Sequence, residues 1–307
     1  MYTTEEAPVL STVTVLTPVY NRVNKMQSLF LSLKEQTAKD FEWMIVDDGS
    51  TDRLPEAVSE WISEAGFLIY YIRKNNGGKH TALNCGIDCI QSTLTFIVDS
   101  DDSLTADAIE TVLKYHRRYS GYTDICGFSF LRMFPDGKIN GKFFKQDEYI
   151  ASYIDARINS NDLKSDKAEA FYTKCLKEYP FPVFSGETFL GEDTVWIQMA
   201  QRYKMVHINK AIYISAYLKD GLTKNRRIHN VNSPLGCICR AEVFLKAPVK
   251  ARYQLKAAMQ YVVYGRFAGE KAGSLLKKAP KRLLVVIAYP IGSLLYLIWR
   301  NKYIDEI

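Results

Sequence analysis

The chain has 307 residues, 47% of them apolar, 24% charged and 13% aromatic, with a formal net charge of +6. This length admits one large domain or two small ones, at ~100–200 residues per domain. The composition excludes a disordered chain, which lacks the apolar surface to offset ordering entropy, and 17 Gly with 10 Pro exclude a collagen-like or low-complexity one.

Thr12 to Tyr20 is a β-branched run and reads as a buried strand. Met26, Leu29, Phe30 and Leu33 recur at helical spacing within Lys25 to Glu35. Phe41 to Val46 is a second strand, cut off by the turn-rich Asp47-Asp48-Gly49-Ser50-Thr51-Asp52, with a helix over Leu54 to Ala65. A third strand, Phe67 to Ile72, ends at Asn75-Asn76-Gly77-Gly78, and Thr81 to Ile90 is helical. Leu94 to Val98 is a fourth strand, closed by Asp99-Ser100-Asp101-Asp102. A helix over Ala106 to Tyr119 and a fifth strand over Asp124 to Met133 follow. Strand and helix alternate and the early strands are continuously apolar, which predicts an α/β fold with a mostly parallel sheet between helices. Ligands of such sheets bind beyond the carboxyl ends of the strands, and the polar clusters all fall there.

From Phe134 to Asp166 the sequence is polar and Tyr-rich, and a lid or partner-contacting loop is expected. Helices are expected over Thr173 to Tyr179 and Glu192 to Tyr203, a strand over Lys210 to Tyr217, and a basic helix over Phe244 to Phe267. The charge excess lies after Lys246 and favours an anionic membrane surface over nucleic acid. Leu283 to Trp299 holds no charge and lies between Lys277-Lys278-Ala279-Pro280-Lys281-Arg282 and Arg300-Asn301-Lys302. It falls just short of the ~20 residues that span a bilayer. Pro290, Gly292 and Ser293 interrupt it, so an interfacial or re-entrant anchor on the cytoplasmic leaflet is expected. MYTTEEAPVL has no apolar core of a signal peptide. The six cysteines are expected to be reduced and structural.

Carboxylates crowded at the exit of a buried strand need a cation or donors to compensate them, so Asp99-Ser100-Asp101-Asp102 points to a divalent ion and phosphates. Asp102 or Ser103 is also expected to cap the helix near Ala106. Asp48 ends a second strand, where an acid can bind ribose or base. Gly77 and Gly78 allow close backbone approach, and Lys79 has the charge to meet a phosphate.

Four elements stand in this order: TPVYNR at 17–22, DDGSTD at 47–52, NNGGKHTALNCGI at 75–87 and VDSDD at 98–102. Together they resemble family 2 glycosyltransferases of the GT-A fold, over roughly residues 10–130. GETFLGEDTVW at 186–196 resembles the family's late acidic motif. The resemblance implies a glycosyltransferase domain over 1–232, with a nucleotide-binding half to about residue 130 and an acceptor-binding half after it. The basic helical tail at 233–307 lies outside it.

It further implies a UDP-sugar donor and Mg2+ or Mn2+. Pro18, Tyr20 and Arg22 would lie beside the uridine, Asp48 on base or ribose, and Asp99 and Ser100 near the ribose. Asp101 would be the direct metal ligand, with Asp99 assisting. Asp193 would be the general base with Glu192 beside it, and inversion would follow. The late metal-binding His of many such enzymes has no counterpart in Tyr217 to Thr223; His229 is the displaced candidate. Lys224, Arg226 and Arg227 are expected in a mobile basic loop, as a solvated face or a diphosphate clamp. No Gln-x-x-Arg-Trp motif of processive synthases is present, which favours single-sugar transfer to a glycan or a polyprenyl-diphosphate-linked acceptor in surface-polysaccharide assembly. A sugar-phosphate nucleotidyltransferase would carry a Gly-rich loop where Thr17 to Tyr20 stands. An inactive nucleotide-sugar-binding protein at the membrane would not need Asp99, Asp101, Glu192 and Asp193.

Overall fold

The computed structural model describes residues 11–163, 165–215 and 226–303. The first strands are β1 (Val13–Val19), β2 (Phe41–Asp47), β3 (Ile69–Arg73) and β4 (Leu94–Ile97). They pair in parallel in the order β3-β2-β1-β4. Helices α1 (Val23–Lys34), α2 (Leu54–Glu64) and α3 (Lys79–Cys89) connect them. Every residue of β1, β2 and β4 is buried, as expected of strands covered on both faces. Trp43 of β2 stacks between Phe30 of α1 and Trp61 of α2, which fixes both helices on that face.

After α4 (Ala108–Tyr119) the sheet becomes mixed. Its remaining strands are the short β5 (Ser103–Leu104), β6 (Ile125–Met133), β7 (Tyr149–Ala151), β8 (Lys167–Tyr172) and β9 (Lys204–Ile214). The order β4-β8-β6-β9 continues the sheet, with β8 antiparallel to β4 and β6 and β6 parallel to β9. β6 and β9 therefore end on the same edge as β1 to β4. Running the other way, β8 begins there.

The polar stretch after Met133 is largely exposed up to Ile150, where a lid or partner-contacting loop was expected, and packed from Ala151 on. It forms β7 and a π-helical turn, Ile154–Asn159, that buries Ile154, Ala156 and Ile158. Two of its buried charges find partners inside: Arg157 donates to the carbonyls of Asp162 and Ser165, and buried Lys167 pairs with Asp162 at 3.2 Å. Periodicity does not reveal the packed part, because its buried Arg157, Asp162 and Lys167 are polar and pair with protein groups.

Helices α5 (Thr173–Lys177) and α6 (Asp193–Met199) precede β9. The tail comprises α7 (Arg226–Asn232), α8 (Pro234–Lys246), α9 (Ala251–Phe267), α10 (Ala272–Lys278) and α11 (Arg282–Tyr303). The helix expected across Phe244 to Phe267 is two helices. Ala247 turns extended (ψ 154°) before Pro248, whose ring disfavours helix in the residue before it. Leu222, Thr223 and Lys224 lie outside the described residues.

The apolar segment is one 22-residue helix, with Pro290 inside it and no re-entrant break. It lies along α9, where Gly292 sits so close to Val262 that a Cβ would be 2.7 Å from that side chain. By length and composition α11 could cross a membrane. Val285 and Ala288 of α11, Tyr261 and Val262 of α9, and Phe244 and Leu245 of α8 belong to the same apolar cluster as β1, β4 and β6. A boundary at 232/233 thus falls within one continuous core.

Candidate active site

The residues of interest stand where strands end. Beyond β1, Asn21 adopts a left-handed φ of 52°, accepts from Thr51 N at 2.7 Å and donates its own N–H to Ser50, tying the first two loops together. Pro18 is buried in β1, Tyr20 is half exposed, and Arg22 Nη1 bonds Asp101 at 2.7 Å.

Asp47 and Asp48 are buried and serve the loops. Asp47 accepts from Ser50 N and the Tyr71 hydroxyl. Asp48 accepts from Lys74 Nζ (2.5 Å), Gly77 N (3.0 Å) and Gly78 N (2.7 Å). Its carboxylate thus organises the glycine loop. Gly78, at φ 90°, abuts the Thr188 carbonyl, where any Cβ would collide. The glycines thereby let the third loop press against the segment that carries Glu192.

Lys79 opens α3 and joins the acidic clusters. Its Nζ lies 2.5 Å from Asp99 and 2.6 Å from Glu192. Burial opposes its charge, but Asp99 and Glu192 outweigh burial and hold its pKa up. Burial likewise opposes ionisation of Asp99, and Lys79 with Arg132 reverses this and pulls its pKa down. Ser100 is buried in the same turn.

Asp102 does not cap a helix, nor does Ser103, which lies in β5; α4 begins at Ala108 with no side-chain cap. Asp102 instead accepts from the Tyr213 hydroxyl at 2.7 Å and lies 3.4 Å from Arg132. Burial, then the nearby Asp99, raises its pKa to about 7.

Arg132 was not singled out by sequence. At the end of β6, it stacks over Tyr213 at 3.9 Å and lies 3.5 Å from Asp99. Its only sequence signal is a strand-end position, on the edge where the other loops gather. Glu169 is a second such residue. It enters this edge because β8 is reversed, and burial first, then Glu192 and Asp166, raise its pKa to about 7 against Arg157 and Arg132.

Glu192 and Asp193 start α6. Asp193 is held by Arg240 of α8, with Nε to Oδ1 at 2.6 Å and Nη2 to Oδ2 at 2.5 Å. His229 stacks on Phe189 with centroids 5.9 Å apart. Among the described residues no group of three or more His, Cys, Asp or Glu forms a metal cage. From Arg226 onward the expected loop is helix α7, and Arg227 lies 3.7 Å over Trp299 of α11, away from the role of a diphosphate clamp. Buried His80 has its pKa lowered by burial and is a core residue. The six cysteines are free thiols.

Parallel strands thus end beside acidic loops, a glycine turn and a lysine that bridges two of the acids. The model of Glycosyl transferase family 2 matches residues 14–153, just under half of the chain. Glycosyltransferase GlyA of Streptococcus pneumoniae is 26% identical over 223 residues, 69% of this chain and 31% of that protein. The chain spans about a third or less of the length of the first curated relatives it matches. A GalNAc(5)-diNAcBac-PP-undecaprenol β-1,3-glucosyltransferase of Campylobacter jejuni is 23% identical, with 95% of each chain covered. The structure of an S. aureus TarS fragment in complex with UDP-GlcNAc has a TM-score of 0.63 at 16% identity, covering 90% of this chain and 79% of that one. A Pyrobaculum calidifontis mannosyltransferase solved with GDP-Man and Mn2+ has a TM-score of 0.59 at 18% identity, covering 94% and 87%. These structures share the fold.

Proposed function

We propose that the chain moves a single sugar, with inversion, from a UDP-sugar to a glycan or a polyprenyl-diphosphate-linked acceptor in surface-polysaccharide assembly. The contact chain Asp99–Lys79–Glu192 carries this reading: it brings the acidic loops after β4 and before α6 to one cation at the strand ends. UDP-GlcNAc in the TarS complex and the lipid-diphosphate substrate named for the Campylobacter relative support the donor and acceptor classes.

The uridine would rest beside Pro18, Tyr20 and Arg22, with Asp48 shaping that wall through the glycine loop. Asp99 and Ser100 would face the ribose. The donor set fits Mg2+ or Mn2+: it is all oxygen, and such ions take one or two carboxylates with the remainder from phosphates and water. Asp101 would hold the ion directly with Asp99 assisting, and the ion would supply positive charge to the departing diphosphate. Mn2+ in the Pyrobaculum complex is in line with this choice.

Asp193 takes the proton from the acceptor hydroxyl as its oxygen bonds to the anomeric carbon. The bond from that carbon to the diphosphate breaks on the opposite side, and the nucleoside diphosphate leaves with the electron pair. Lys79, held charged between Asp99 and Glu192, stabilises the growing negative charge. The exposed apolar residues of α11, flanked by Lys277, Lys278, Lys281, Arg282, Arg300 and Lys302, support attachment of the enzyme to the anionic cytoplasmic face of a membrane.

The test is UDP release from a panel of UDP-sugars with and without Mn2+, with a lipid-linked acceptor pool. Release that requires Mn2+ and falls ~10²–10⁴-fold in Asp193→Asn, the usual size of a general-base effect, is expected. No release with any donor, despite tight UDP binding, would mark a binding protein. Near-wild-type turnover in Asp193→Asn would move the base to Glu192.

A further inference from the structure

The proposed base does not stand on the catalytic loop alone. Both Asp193 oxygens are engaged by one guanidinium, and the two side chains are 15% and 19% exposed. Paired forks of this kind fix the carboxylate plane as well as its charge. They take two of a carboxylate's roughly four acceptor sites. The Arg240 guanidinium is backed by the Phe244 ring, 4.7 Å away on the same helix.

The surrounding backbone is shaped for this contact. Gly191 is close enough that a Cβ would lie 2.9 Å from Asp193 Oδ1 and 3.3 Å from Arg240 Cδ. The same loop grips α8 a second time: Glu187 accepts from Leu235 N at 2.7 Å and Gly236 N at 2.8 Å, at the start of α8. A Cβ on Gly236 would in turn approach the Phe189 carbonyl at 3.0 Å. Two acids of one loop are thus seated on one helix, with glycines at both points of closest approach.

We propose that Arg240 is a positioning residue for sugar transfer: its guanidinium sets the plane of the Asp193 carboxylate, making α8 part of the catalytic machinery. The proposal rests on Asp193 being the base. A displacement of about 1 Å in a catalytic group can cost ~10²-fold in rate. Removing one partner of a largely buried pair also leaves the other charge uncompensated, so folding must be separated from catalysis.

The test uses the full chain, with UDP release from UDP-GlcNAc or another UDP-sugar turned over in the donor panel. It compares wild type, Arg240→Lys, Arg240→Ala, Asp193→Asn and the double variant Asp193→Asn/Arg240→Ala. In Arg240→Ala kcat is expected to fall by ~10²-fold with donor KM within about twofold, and added guanidinium to restore part of kcat. Arg240→Lys keeps the charge and loses the fork, so it should also slow by at least about tenfold. The double variant should be no slower than Asp193→Asn, because Arg240 acts only through that carboxylate. Arg240 variants that unfold cooperatively near the wild-type temperature yet keep kcat within about twofold would overturn the proposal. A double variant slowed by the product of the single effects would overturn it too. Should Arg240→Ala fail to fold, the same comparison made with Arg240→Lys and the double variant Asp193→Asn/Arg240→Lys decides. A fast Asp193→Asn is a different result, since it removes the base assignment itself.

Discussion

At the scale of single residues, the site is a set of acids placed where burial and neighbours disagree about their charge. Glu169 is the clearest case. Burial and Glu192 raise its pKa to about 7, whereas a free glutamate titrates near 4.5. The folded protein therefore keeps a proton that the unfolded chain gives up, and stability from this group is full below about pH 4.5 and lost as pH rises to about 7. Glu169→Gln should flatten that part of the curve, with a change on the order of 1–3 kcal/mol across the window. Thermal melts at pH 5 and pH 8 read it; a wild type whose melting temperature falls no more than the variant's contradicts the shift. The glycine loop gives a second case. Gly78→Ala places a side chain in a conformation open almost solely to glycine and against the Thr188 carbonyl, and should cost at least about 2 kcal/mol in denaturant unfolding. An unchanged midpoint would mean that the two loops are not in register. Lys79, Asp99 and Asp101 were legible as candidates because acids and glycines cluster after apolar runs, and Glu192 and Asp193 through the resemblance of residues 186–196 to the late acidic motif of family 2 glycosyltransferases. Arg132, Glu169 and Arg240 were not, since each meets the site only through strand order or helix packing.

At the scale of elements, the first half of the fold was readable throughout, and in the second half β6, α5, α6 and the end of β9 were readable while the segment between β6 and β8 and the tail were not. β1 to β4 and their helices announce themselves as apolar runs broken by polar turns, and their bounds fall within a few residues of expectation. The segment between β6 and β8 misleads because its later part buries Arg157 and Asp162, which pair with protein groups. α11 misleads differently: Pro290 and Gly292 read as breaks, whereas the helix continues and Gly292 is the point where it approaches α9. Its outward side carries Leu283, Ile287, Ile291, Leu294 and Ile298, all exposed, at steps of three or four residues. If that stripe meets lipid, the variant with Leu283, Ile287, Ile291 and Leu294 changed to Ser should no longer float with anionic vesicles, while unfolding at the wild-type temperature. Flotation as strong as wild type would place the membrane contact elsewhere. Substitution is the cleaner experiment than deletion, because α11 also covers Val262 and Tyr264 of α9.

For the molecule as a whole, sheet, acidic loops and tail helices form one packed unit in which strand direction decides who reaches the crevice. Sequence order alone separates Asp48, Asp99 and Glu192 by scores of residues; parallel strand order puts Asp48 and Asp99 at one edge, and Lys79 ties Asp99 to Glu192. The proposed chemistry depends on that reunion producing a divalent-ion site for a nucleoside diphosphate. Calorimetric titration of UDP into the full chain, with and without Mn2+, tests it most directly. Binding should tighten at least about tenfold with the ion, and Asp101→Ala should erase that gain while the fold is kept. Equal affinity with and without Mn2+, or an Asp101→Ala variant that still shows the full gain, would contradict the account.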